Sequence, residues 1–148
     1  MQMERLAAPN GPTQGAVVRP SDGLAPKRVA FVQCAGSRDR NHLNYCSYIC
    51  CMASLKQACY VAERYPDAKI TIFYIDLRTP GRYDKFLQRV QANENVSFVK
   101  GKVAEISECR CGEVVCTVED AVTGVKSQEK FSRIRNTMSA SKRLAMRR

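Results

Sequence analysis

The chain has 148 residues, 45% of them hydrophobic and 26% charged, the proportions of an ordinary globular domain able to bury a core. No stretch approaches the roughly 18 unbroken apolar residues of a membrane span, and the opening MQMERLAAPNGPTQG lacks the apolar core of a secretory signal. A cytoplasmic protein with no direct membrane span is therefore expected. The net charge of +10 invites nucleic-acid binding, but Arg133, Arg135, Lys142, Arg143, Arg147 and Arg148 put +6 of it into the last 17 residues. The remaining lysines and arginines are well mixed with acids, so no nucleic-acid partner is expected.

Residues 1–27 contain Pro9, Gly11, Pro12, Gly15, Pro20, Gly23 and Pro26, a density of breakers that predicts a connecting arm without regular structure. RVAFVQ (28–33) reads as a buried strand. It runs into CAGSRDRNHLNYCSYICC (34–51), which holds four of the eight cysteines. A helix is expected over 45–65, with Met52, Leu55, Cys59 and Ala62 on one buried stripe and Pro66 and Asp67 ending it. KITIFYID (69–76) has the β-branched and aromatic content of a second strand.

After the turn RTPG, residues 83–91 form a second predicted helix, with Phe86, Leu87 and Val90 on its apolar side. Residues 95–98, or a little beyond, begin a short third strand. EVVCTVEDAVTGVKSQEKF reads as a hairpin around Thr123 and Gly124. This order predicts an α/β fold, a Rossmann-like parallel sheet with helices on its faces and a β-hairpin, filling 28–131. Residues 132–148 read as a disordered basic tail with no strand.

A strand, loop and helix opening an α/β unit often binds a dinucleotide, and Asp76 stands where an acid would meet a ribose hydroxyl. The phosphate turn, however, needs Gly-x-Gly-x-x-Gly so that backbone amides can approach the pyrophosphate. Here Gly36 stands alone among bulky side chains that include Arg38 and Arg40, which disfavours a nicotinamide. In a reducing compartment clustered cysteines point to metal or redox chemistry more than to disulfides. Cys34 lies at the carboxyl end of the first strand. Cys46 and Cys50 are four apart, and Cys51 lies about 100° round a regular helix from Cys50.

Four thiolates in one region, near a helix start whose amides favour anions, suit a bulky iron–sulfur cluster better than one zinc ion. Buried core cysteines and a zinc site stay open as alternatives, with His42 as a substitute ligand or simply a solvated loop residue. Cys59 reads as core. Cys109, Cys111 and Cys116 supply only three thiolates and read as surface-loop and strand positions.

CAGSRDRNHLNYCSYICCMASLKQA resembles the cluster-binding signature of the heterodisulfide reductase A-type subunit family, which includes flavoprotein subunits of the quinone-interacting membrane-bound oxidoreductase complex. ERLAAPNGPTQGAVVRPSDG resembles the segment before that signature, and the likeness runs from about residue 3 to 131. It implies the nucleotide-domain-like part of a thioredoxin-reductase-like flavoprotein. Cys34, Cys46, Cys50 and Cys51 would hold a [4Fe-4S] cluster close to FAD and relay electrons to partner subunits, iron–sulfur or membrane-bound.

The family's FAD domain is built from segments on both sides of this region, which this chain does not contain. After Phe131 its members run into an apolar strand that SRIRNTMSASKRLAMRR replaces. The expectation is thus an incomplete sheet, a fragment of an oxidoreductase subunit not catalytically complete alone, and no FAD binding by this chain by itself. Membrane association would come only through partners. The rival reading is a non-catalytic basic module for nucleic acid or an anionic surface, with structural cysteines.

Overall fold

The computed structural model describes residues 2–19, 21–110 and 113–136. Its elements are α1 (Gln2–Ala7), β1 (Arg28–Val32), α2 (Cys50–Arg64), β2 (Lys69–Tyr74), α3 (Asp84–Gln91), β3 (Val96–Glu108), β4 (Val114–Asp120), β5 (Lys126–Phe131) and β6 (Arg133–Asn136). β1 pairs in parallel with β2 on one side and β6 on the other, and β2 pairs in parallel with β3. β3 then runs on beyond β2 and pairs antiparallel with β4, which returns against β5. The sheet order is β5-β4-β3-β2-β1-β6.

Because successive side chains of a strand point to opposite faces, β1 feeds two cores. Val29 and Phe31 join Leu55, Ala58 and Val61 of α2, Val90 of α3, and Met3 and Ala7 of α1. Ala30 and Val32 face the other way, onto Phe73 and onto Cys116, Val118 and Phe131 of the hairpin. The rings of Phe73 and Phe131 meet edge to face, with centroids 5.8 Å apart. Burial on both faces explains why RVAFV is almost unbroken in its apolar character. The α/β expectation, a parallel sheet with helices and a hairpin, is met. Among the described residues no helix is long and apolar enough to cross a membrane.

Four local readings differ from the structure. The arm is not free of regular structure: α1 forms because Met3 and Ala7, one turn apart, bury against α2. Lys56, Gln57 and Tyr60 all reach the Glu4 carboxylate. Burial opposes that charge, but the three donors outweigh it and hold Glu4 below the usual carboxylate range. α2 starts at Cys50 and not at 45, since Tyr48 adopts a left-handed φ of 63°. Its buried stripe runs through Leu55, Ala58 and Val61, while Met52, Cys59 and Ala62 are only partly covered.

β3 is far longer than a four-residue strand, because its polar second half is paired to β4. A strand also follows Phe131 after all, the β6 element, so the sheet edge beside β1 is covered for these residues. Ser132 helps to fix it: its hydroxyl accepts from the backbone N–H groups of Lys27 and Arg28 and donates to the Arg28 carbonyl. Residues 137–148 of the expected tail, and Cys111, lie outside the described residues.

Two substitutions test this packing. Phe131→Ala, which empties a site 1% exposed, is expected to cost about 3–5 kcal/mol in chemical denaturation. Gly101→Ala would set a methyl 2.5 Å from the Glu119 carbonyl oxygen across the β3–β4 pair and is expected to cost about 1–3 kcal/mol. Val122→Ala at the exposed hairpin tip is the control, expected within roughly 0.5 kcal/mol of the parent.

Candidate metal centre

β1 ends against β2 with Gln33 N–H bonded to the Phe73 carbonyl, and the next residue, Cys34, turns with a left-handed φ of 54°. The chain then folds back on itself. Ser37 N–H bonds to Cys34 O, Leu43 N–H to Gly36 O, Asp39 N–H to Leu43 O and Arg38 N–H to Tyr45 O. This closed loop returns Cys46 to the neighbourhood of Cys34, so eleven intervening residues become a short path in space. Three of the described non-glycine residues with positive φ, Cys34, Arg38 and Tyr48, lie in it. Such conformations cost energy and persist where surrounding structure fixes them.

Of the four cysteines singled out by spacing, Cys34, Cys50 and Cys51 lie within reach of one another's charge and Cys46 within reach of Cys34. Cys34, Cys50 and Cys51 are buried at the start of α2, and Cys46 is half-buried beside them. Cys34 feels the charges of both Cys50 and Cys46, and Cys51 feels those of Cys50 and Cys34. Several N–H groups point at sulfur: Tyr48 N lies 3.4 Å from Cys46 Sγ, and the amides of Cys34 and Cys51 reach Cys50. The Arg78 amide reaches Cys51. Ser47 Oγ is buried with no hydrogen-bond partner other than the Cys50 sulfur beside it. α2 has no side-chain N-cap, which leaves its first amides available to anionic sulfur.

These surroundings split the thiols. The neighbouring Cys51 sulfur, Ser47 and the two amides outweigh burial and hold the Cys50 thiol well below the usual thiol range. Cys51 is pushed up by the contact with Cys50 and by burial. Burial, together with the Cys50 charge, raises Cys34, and Arg38 works against that rise. Burial thus opposes charge on Cys34 and Cys51, while the groups around Cys50 favour it there. Among the described residues no three His, Cys, Asp or Glu groups are set to hold a single metal ion. The fit to a metal group therefore rests on the donor set: four thiols from one loop and one helix start, with amides and a hydroxyl directed at them.

The other candidates do not join this group. His42 is turned to Asp39, its Nδ1 3.7 Å from Oδ1. Cys59 is half-buried on α2 against the core, as its place on the apolar side implied. Cys116 is fully buried on β4, where burial and the nearby Glu129 push its thiol up to about 12, and Cys109 is half-buried at the end of β3. Asp76 is occupied by Arg38 and Arg78, which leaves its carboxylate engaged where a ribose would need it free. Sequence reasoning missed Asp76 and Arg38 as parts of the site. The signal was available only as an acid at a strand end and an arginine in the loop, 38 residues apart.

No family model matches the chain. It is 43% identical over 84% of its length to the second A-type iron-sulfur subunit of CoB–CoM heterodisulfide reductase from Methanopyrus kandleri, of which it covers 19%. It is 46% identical over 87% of its length to the A-type subunit of the ferredoxin/F420H2-dependent CoB–CoM heterodisulfide reductase from Methanosarcina acetivorans, covering 16% of it. The chain thus spans less than a fifth of these curated relatives.

Among solved structures it is similar in fold to thioredoxin reductase from Streptococcus pyogenes, with TM-score 0.51 and 17% identity over 76% of the chain and 31% of that protein. Lactococcus lactis thioredoxin reductase gives TM-score 0.50 at 16% identity over 75% and 30%. These two support the thioredoxin-reductase-like fold alone. With 38–46% identity to several curated members over more than four-fifths of its length, the chain belongs to the family of heterodisulfide reductase A-type subunits and corresponds to one segment of that larger polypeptide.

Proposed function

We propose that this segment relays single electrons through a [4Fe-4S] cluster held by Cys34, Cys46, Cys50 and Cys51, within an FAD-dependent oxidoreductase of the heterodisulfide reductase type. The observation that carries this reading is the convergence of those four thiols at the carboxyl end of β1 and the head of α2, with backbone N–H groups aimed at sulfur. The names of curated relatives support it, since those from Methanopyrus kandleri and Methanocaldococcus jannaschii are called iron-sulfur subunits. Such a cluster, when bound, supplies one-electron exchange with no bond made or broken in the protein.

The chain's own residues would do the rest. Cys34, Cys50 and Cys51 supply thiolates from a place closed to water, and Cys46 from the rim. The uncapped amides of α2 and the Tyr48 N–H lower the energy of the anionic thiolates. Tyr45, Tyr48 and Ile49 stand 59, 64 and 72% exposed in the cysteine loop. An apolar rim of this kind favours contact with another redox subunit or another part of a longer polypeptide. Flavin in such an oxidoreductase would be held by other segments, and no residue here is assigned to it.

The reading predicts that the chain, reconstituted without oxygen with iron and sulfide, takes up about four of each per chain and turns brown. Cys50→Ser and Cys51→Ser, each in a folded chain, are expected to lose at least half of the bound iron. A colourless wild-type product without iron would refute the reading. Loading is further expected to protect Cys34, Cys46, Cys50 and Cys51 from alkylation, read by peptide mass spectrometry, while leaving Cys109 as reactive as in the metal-free chain. Equal labelling of Cys46 with and without iron would remove it from the ligand set.

A further inference from the structure

Arg38 ties the cysteine loop to the segment after β2. Its backbone sits at a left-handed φ of 55°, and its N–H is tied to the Tyr45 carbonyl. Its Nη1 lies 2.5 Å from Asp76 Oδ2, and its positive charge acts on Cys34, four positions back along the same loop. Asp76 is held in turn by Arg78, whose Nη2 lies 3.6 Å from Oδ2. Arg78 also stacks over the Tyr48 ring at 5.7 Å. The backbone of this segment contributes as well, since Cys51 Sγ lies 3.8 Å from the Asp76 carbonyl oxygen. Two arginines and one carboxylate thus leave a net single positive charge beside the cysteine loop.

We propose that Arg38 is a positioning residue of this centre: anchored by Asp76, it holds its positive charge in the cysteine loop and raises the reduction potential of the cluster bound there. This rests on the cluster reading given above. Reduction adds one electron, hence one negative charge, and takes up no proton in itself. A cation held beside the ligand loop stabilises that added charge. Arginine suits the task because its planar fork grips a carboxylate in one fixed geometry, which a lysine ammonium on a flexible stem does not. Arg38 is largely covered, 28% exposed, so solvent screens it less than the exposed Arg40 of the same loop.

The test is a reductive titration of the reconstituted 148-residue chain, followed by electron paramagnetic resonance, in wild type, Arg38→Gln, Arg38→Lys and Arg40→Gln. Arg40→Gln removes the same charge from an exposed position of the loop with no Asp76 anchor. The expected order of midpoint potential is wild type and Arg40→Gln together at the top, Arg38→Lys below them, and Arg38→Gln lowest. An Arg38→Gln midpoint equal to that of Arg40→Gln, at equal iron content, overturns the proposal while leaving the cluster reading intact. Should Arg38→Gln fail to hold a cluster, Arg38→Lys decides: a wild-type midpoint there also overturns it. A wild-type chain that takes up no iron and sulfide overturns both.

Discussion

Three thiols are buried where β1 gives way to α2, and a fourth stands at their edge. Burial resists ionisation of Cys34 and Cys51 while hydrogen-bonding neighbours favour it at Cys50, a conflict within one group of thiols. The neighbouring architecture is arranged around it. α2 begins without a cap, the loop accepts left-handed backbone at Cys34, Arg38 and Tyr48, and an arginine–aspartate–arginine chain borders the sulfurs. A cationic inorganic core would satisfy these thiolates together, which a set of core cysteines would not require.

The same arrangement departs from a dinucleotide-binding turn in its loop and its acid. The strand, loop and helix are present, but the loop is closed on itself by its own backbone bonds. Asp76, at the position that could meet a ribose, is neutralised by two arginines. The space for a pyrophosphate and the free acid for a ribose are thereby removed by the same residues that border the cysteines.

Much of this was legible in the chain. RVAFV, KITIFY and the hairpin around Gly124 announced themselves by β-branched and apolar content and by turn chemistry. The cysteine spacing located the site because all four residues lie within one local excursion between two elements. What stayed hidden depended on partners distant in sequence. α1 is held by Lys56, Gln57 and Tyr60, more than fifty positions away. The second half of β3 is polar and gains its place from β4, while β6 gains its own from β1. Arg38 and Asp76 looked like a loop cation and a strand-end acid until the fold joined them.

The pairing of β1 with β6 has a consequence for assembly. Ser132 closes onto Lys27 and Arg28 across 104 to 105 positions, whereas the four cysteines span 34 to 51. Long-range pairing of this kind forms late, because a large loop must be closed before any contact rewards it. During synthesis the thiol loop and its helix emerge while the flank of β1 is still open, since the segment that covers it has not yet been made. The cysteine loop and the closure of the sheet beside β1 are therefore separable in time, and the nascent chain presents its four clustered thiols before β6 arrives.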